Sequence, residues 1–183
     1  MAKSKPLSPF DALPPFREDG TVNVVVETPA GFRAKLKYEP KAALFALGKF
    51  LPEGFSFPFD FGFVPGTLAE DGDPIDVMLI AEAGSAPGCL VPARLLGALE
   101  AKERRRDGGG KKPVRNDRIL AIPLASRQYA DLDDLGRMPP ALREQIEHFL
   151  TSYGVLEGKD VEIVGLKGAA GAARLVRAAI PKK

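Results

Sequence analysis

The sequence predicts an α+β domain in which a small β-barrel comes first and flanking helices follow. Three features carry that reading. Short apolar or alternating segments of strand length, about six or seven of them, succeed one another between Gly- and Pro-marked turns. An amphipathic helix at 139–153 shows the clearest helical period in the chain. One more strand and a second helical segment then close it.

Residues 1–20, with Pro6, Pro9, Pro14 and Pro15, read as an irregular arm ahead of a single domain over 21–183. Residues 21–27 are β-branched and apolar, and the strand they predict ends at Thr28-Pro29-Ala30-Gly31. Residues 34–39 alternate, with Leu36 and Tyr38 on one face and Lys35, Lys37 and Glu39 on the other. Taken alone, that charged face is a solvent face. Residues 42–51 (AALFALGKFL) fit either a strand pair or one helical turn. Between 55 and 63, five Phe recur at period two and would share one face if the chain were extended. Pro58 and Gly62 point instead to a kinked edge or loop.

Residues 77–80 read as a buried strand, 83–88 as a connection and 89–98 as another strand. The stretch 102–118 (KERRRDGGGKKPVRNDR) is basic and Gly-rich, a flexible insertion by composition. No aromatic side chain is interleaved for base stacking, so a solvated hairpin tip is the better reading than a nucleic-acid site. Residues 119–123 (ILAIP) form a short buried strand. The helix at 139–153 places Leu142, Ile146, Phe149, Leu150 and Tyr153 on one stripe, and Gly154 reads as its stop. His148, the one histidine, sits on that helix as a surface or packing residue. Residues 161–166 read as a strand, and 169–180, with Arg174 and Arg177, as the second helix.

The stretch with the most chemistry is Glu70-Asp71-Gly72-Asp73-Pro74-Ile75-Asp76, a tight acidic bend at the mouth of a strand. Carboxylates about 4 Å apart repel by roughly 4 kcal/mol at an effective dielectric near 20. Clustered oxygen donors without Cys or His suit a hard cation such as Mg²⁺ or Mn²⁺. A plainly solvated acidic turn is the bland alternative. A calcium loop of the EF-hand type would use Asp71, Asp73 and Glu82, but its sixth position demands Gly and Asp76 stands there.

Size and composition bound the function. The 183 residues suit one domain, and 45% hydrophobic with 27% charged residues is ordinary for a globular protein. A net charge of +2 projects no field towards nucleic acid or membrane. Cys89 alone excludes an internal disulfide, and neither a signal peptide nor a membrane span is legible, so a cytoplasmic setting is expected.

Residues 71–77 (DGDPIDV), together with VVVETPAG, Lys37-Tyr38-Glu39, FPFDFGF, ILAIP and EQIEHFLTSY, resemble the soluble family I inorganic pyrophosphatases over about residues 21 to 177. The resemblance implies an OB-like closed β-barrel with two flanking helices, and hydrolysis of diphosphate to two phosphates using Mg²⁺ or another divalent ion. It implies Asp71 and Asp76 as metal ligands beside the attacking water, and Asp73 as acceptor of that water's proton. Lys37 becomes a phosphate contact, Glu27 and Glu39 hold an outer metal or its waters, and Tyr153 is a phosphate-binding phenol. Self-association into a homo-oligomer is the corresponding expectation, with diphosphate rather than nucleic acid or membrane as partner.

Departures from the family pattern fall mostly around the site. Lys49 stands where members carry Arg, which keeps the charge and loses the fork. Phe57 and Phe61 stand for Tyr, Asp60 for Asn, and Gly154 for Lys. The family's Asp-x-Lys falls on Asn116-Asp117-Arg118, making Asn116 an amide at a metal position and Arg118 a cation beside it. The preceding family Asp falls on Glu103, or on Asp107 with a different gap. Asp117 could replace Asn116 only by a one-residue shift, which in an extended segment turns the side chain to the opposite face. The expectation is a divergent diphosphatase with weakened metal binding. The alternatives are a hydrolase of another phosphoanhydride and an inactive binding or scaffold protein.

Overall fold

The computed structural model describes residues 10, 12–69, 72–107 and 112–181. In chain order the elements are β1 (Val22–Thr28), β2 (Ala34–Glu39), β3 (Leu44–Phe50), β4 (Asp60–Phe63), β5 (Asp76–Leu79), β6 (Leu90–Arg105), β7 (Val114–Arg115), β8 (Arg118–Pro123), α1 (Pro140–Leu156), β9 (Lys159–Gly168) and α2 (Ala169–Ala178), with a 3-10 turn at Leu135–Arg137.

The valine run of β1 makes a strand that is paired on both sides, with β4 and with β6, both antiparallel. β4 pairs with β5, β5 runs parallel to β8, and β8 returns to β6. The pairings therefore form a circuit from β1 through β4, β5, β8 and β6 back to β1. β9 lies along the outer length of β6, and β2 and β3 form a separate hairpin.

Alternate residues of these strands enter two different cores. Met78, Ile80, Leu120 and Ile122 pack with Ile146, Phe149 and Leu150 of α1. Their neighbours Val77, Leu79, Ile119 and Ala121 pack with Ala172 and Val176 of α2. Burial on both faces is why these strands read as unbroken apolar runs rather than as alternating ones. Each large aliphatic side chain so buried contributes about 1.5–3 kcal/mol.

Four segments differ from their sequence reading. Residues 42–51 hold a single strand, β3, because its partner β2 supplies the ladder. The five Phe between 55 and 63 do not share a face. Phe57 and Phe59 enter the α1 core, whereas Phe63 packs with Tyr38 and Phe10 across the arm. β4 is no edge either, since it lies between β1 and β5. Gly62 permits this: a Cβ there would stand 2.1 Å from the Val25 carbonyl oxygen, beside the irregularity between Val26 and Thr28.

The third segment is the basic stretch 102–118. Strand β6 continues through Arg105 and pairs there with both β7 and β9. The Gly triplet at its centre lies outside the described residues. Fourth, α1 does not stop at Gly154 but runs to Leu156, and the left-handed glycine beyond it is Gly158, at φ 69°. The arm is tied to the domain by Phe16 against Val22 and by Asn23 Nδ2 donating to the Pro14 carbonyl at 2.8 Å. Among the described residues no helix is long and apolar enough to cross a membrane.

The Gly62 contact is testable. Gly62→Ala should cost about 1–3 kcal/mol through overpacking, read as a lowered urea midpoint. His148→Ala, on an exposed turn of α1, should stay within about 0.5 kcal/mol.

Candidate active site

Asp76 opens β5 and Arg118 opens β8. Because these two strands are parallel neighbours, both side chains emerge at the same end of the sheet. Arg118 Nη1 meets Asp76 Oδ2 at 2.8 Å on the wall of a cavity of about 110 Å³. Glu27 from β1, Phe61 from β4, Glu103 from β6 and Tyr153 from α1 line the same cavity.

The acidic bend is fixed by its backbone. Gly72, at φ 90°, donates its N–H to the Ala69 carbonyl at 3.0 Å, and the Ala69 N–H donates to the Asp73 carbonyl at 2.7 Å. Thr67 Oγ1 accepts from the Ile75 N–H at 3.0 Å and donates to the Val64 carbonyl at 2.6 Å. From this bend Asp73 reaches Lys37 Nζ at 2.7 Å. That hydrogen bond raises the Lys37 pKa above its ordinary 10.5, against the opposing effect of burial. Asp71, the other acid expected here as a metal ligand, lies outside the described residues, as does Glu70. For Asp73 and Asp76 the compensating cations are side chains of the chain itself, Lys37 and Arg118. Glu82 is engaged elsewhere, accepting from Ser126 Oγ at 2.6 Å and the Arg127 N–H at 3.0 Å. It is not part of a calcium loop with the bend.

Glu27 faces the cavity from the end of β1, with Oε1 accepting the Tyr38 N–H at 2.7 Å. Burial pushes its pKa up from 4.5 to about 7. Repulsion from Asp76 adds to that shift, while the Tyr38 N–H, Lys37 and Lys35 oppose it. Two carboxylates thus converge here, one of them held partly protonated at neutral pH.

On the far wall, Glu103 is the acid that the fold brings in. It accepts from Asn116 Nδ2 at 2.9 Å, Arg118 Nη2 at 3.1 Å and Lys159 Nζ at 2.6 Å. Asn116 Oδ1 accepts in turn from Arg118. Asp107, the alternative to Glu103, pairs with Arg105 at 3.2 Å. Asp117 does not line this cavity; it accepts from the Ala101 N–H at 3.2 Å and from Arg115 Nε. Asn116 and Asp117 lie in the short gap between β7 and β8, and only Asn116 lines this cavity.

The α1 wall is aromatic. Phe57 and Phe61 meet edge-to-face at 5.1 Å, and Tyr153 stacks on Phe149. The Tyr153 hydroxyl is buried and has no partner at hydrogen-bond geometry among the described residues. Its pKa is raised by burial first and by the Glu157 carboxylate second. Burial also pushes Glu157 upward, but Lys49, Tyr153 and Lys35 outweigh it and hold this acid at about 2. Lys49 Nζ lies 2.5 Å from Glu157 Oε1 and Lys35 Nζ 3.5 Å from it.

Several expected positions lie off the cavity wall: Asp73, Lys37 and Lys49 do not line it, and neither do Glu39 and Asp60. Glu39 is absent from the cavity wall, and its carboxylate accepts the Lys41 N–H at 3.2 Å on its own hairpin turn. Asp60 is buried as a structural cap, accepting from the Ala30 N–H at 2.7 Å and the Ser85 N–H at 2.9 Å. Sequence reasoning missed Lys35, Lys159 and Glu157 as site residues. The signal for Lys35 was its place on the face of Lys37. Glu157 had none, since it follows a helix that the Gly154 reading ended too early.

Comparison with known proteins agrees with this geometry. A family model described as inorganic pyrophosphatase matches residues 24–182. An inorganic pyrophosphatase of Aeropyrum pernix is 36% identical over 164 residues, covering 88% of this chain and 89% of that protein. One of Thermus thermophilus is 31% identical over 185 residues, covering 100% and 98%. The crystal structure of an inorganic pyrophosphatase from Thermus thermophilus superposes with a TM-score of 0.82 at 29% identity, covering 93% of this chain and 96% of that one. One from Neisseria gonorrhoeae gives 0.81 at 30% identity with the same coverage. By sequence and by fold, this chain belongs to the inorganic pyrophosphatase family.

Proposed function

We propose that the chain hydrolyses inorganic diphosphate to two phosphates at the cavity between Glu27, Asp76, Arg118 and Tyr153. The observation that carries this assignment is the charge pattern there. Two acids, Glu27 and Asp76, line one cavity with the buried Tyr153 hydroxyl, and Lys35, Lys159 and Arg118 stand around them.

A divalent ion fits the Glu27–Asp76 side. Their mutual repulsion and the raised Glu27 pKa mark a place where a cation would be stabilised. Asp76 and Glu27 would hold it; Asp71, the other acid expected as a ligand, lies outside the described residues. When bound, the ion supplies an acidified water and neutralises phosphate oxygens. Glu103 and Asn116 fit a metal less well, because their polar atoms are engaged by Arg118, Lys159 and each other. No ion is assigned to them.

In this reading Asp73 accepts the proton of the attacking water. The water oxygen bonds to one phosphorus, the bridging P–O bond breaks, and the bridging oxygen leaves with the second phosphate. Lys37, Lys49 and Arg118 oppose the negative charge of the phosphates, and Tyr153 donates to a phosphate oxygen. Phe57 and Phe61 exclude water from the wall without donating. The circuit of strand pairings supports reading the fold as an OB-like barrel flanked by α1 and α2. A homo-oligomer in the cytoplasm is the setting we infer for it, from family likeness alone.

Asp73→Asn should lower kcat for diphosphate about 10²- to 10⁴-fold, the usual contribution of a positioned base, measured as phosphate release. Chelation of divalent ions should abolish the activity of the intact protein, and Mg²⁺ should restore it. Persistence of full turnover in chelator would overturn the metal assignment.

Glu27 predicts a pH effect on the metal-free fold. Its folded pKa of about 7 exceeds its ordinary 4.5, so the folded state binds more protons between those values. Stability should therefore be highest below about 4.5 on this account and fall as pH rises through 7, by on the order of 2 kcal/mol. Glu27→Gln should flatten that slope in urea titrations at pH 5 and pH 8.

A further inference from the structure

Strand pairing sets Lys35 of β2 directly opposite Lys49 of β3. Like charges in that relation repel and weaken a hairpin. Both ammonium groups nevertheless turn to one place. Each lies 5.2 Å from the centroid of the Tyr153 ring, and both approach the same oxygen, Glu157 Oε1. Glu157 is thus shared by two cations, with Glu27 a second acid within electrostatic reach of Lys35. Beside them stands the buried Tyr153 hydroxyl, close to the same Glu157 carboxylate.

The helix side of this corner is closed to further side chains. A Cβ on Gly154 would stand 2.3 Å from Val161 Cγ2, so β9 packs directly on the helix backbone. Charge can reach the corner from the β2–β3 hairpin, through long flexible stems. Two ammonium donors and a phenol hydroxyl around one site match a tetrahedral oxyanion carrying more than one negative charge.

We propose that Lys35 is a substrate-binding residue, whose ammonium joins Lys49 and the Tyr153 hydroxyl in holding one phosphate of diphosphate. This rests on the reading of the preceding subsection and adds to it a cation on the α1 wall. Glu157 holds the two lysines in place while the corner is empty. Phosphate oxygens then replace the shared carboxylate as partners of the two ammonium groups.

The test uses the full chain with Lys35→Gln and Lys35→Arg. Diphosphate hydrolysis with Mg²⁺ gives KM and kcat, and calorimetry with imidodiphosphate, a diphosphate analogue with a bridging nitrogen, gives affinity without turnover. Lys35→Gln should raise KM and weaken analogue binding about tenfold, equivalent to about 1.4 kcal/mol, with a smaller change in kcat. Lys35→Arg should restore most of both. If KM and analogue affinity stay within about twofold while thermal stability falls, Lys35 merely ties down Glu157 and the proposal is overturned. If the unsubstituted protein binds the analogue but releases no phosphate, the hydrolytic reading fails. The calorimetric comparison still decides for or against Lys35.

Discussion

The parallel pairing of β5 with β8 is the constraint on which the site depends. Parallel strands start at the same end, so Asp76 and Arg118, first residues of their strands, meet without any loop having to place them. The pairing holds because both strands are buried on both faces, Met78 and Leu120 towards α1, Val77 and Ile119 towards α2. The chemistry is thus anchored by two cores at once. Arg118 and Glu103, only 15% and 11% exposed, are joined at the same end. Removing one member of such a group leaves an uncompensated buried charge, a loss of about 3–5 kcal/mol.

Around this anchor the site balances its own charges. Lys37 answers Asp73, Arg118 answers Asp76, and Lys159 with Arg118 answers Glu103. Glu27 is the exception, and it responds by holding a proton up to about pH 7. A multiply charged anion and a divalent cation entering together would exchange these internal pairs for pairs with ligand. The desolvation of the groups is already met by the fold, which is what a preorganised polar site provides.

Much of this was legible in the residues. The unbroken apolar runs at 77–80 and 119–122 announced strands buried on both faces, and Gly72 and Pro74 announced the turn ahead of β5. What sequence could not supply was long-range register. Nothing local to 42–51 distinguishes a strand from a helical turn until β2 lies beside it. The basic composition of 102–118 reads as loop because β9, which completes the ladder on Arg104 and Arg105, comes more than fifty residues later. Gly154 resembles a helix stop by type, yet its glycine is required by a strand pressed on the helix side. Lys35 and Glu157 likewise join the site through a cross-strand pairing and an extra helical turn, neither of which has a local signature.

The contact at Gly154 also bears on how the cavity can respond to what enters it. The Val161 side chain of β9 sits against the backbone of α1 at Gly154, next to Tyr153, and leaves no room there for a larger residue. On the proposal that Lys35 and Lys49 hold a phosphate, their four-carbon stems supply the adjustable parts of that corner. Rotation about such bonds takes picoseconds to nanoseconds, whereas lid and domain motions take microseconds or longer. On that proposal, a fit made by rotating these stems would be fast, a clasp by the fingers rather than by the palm.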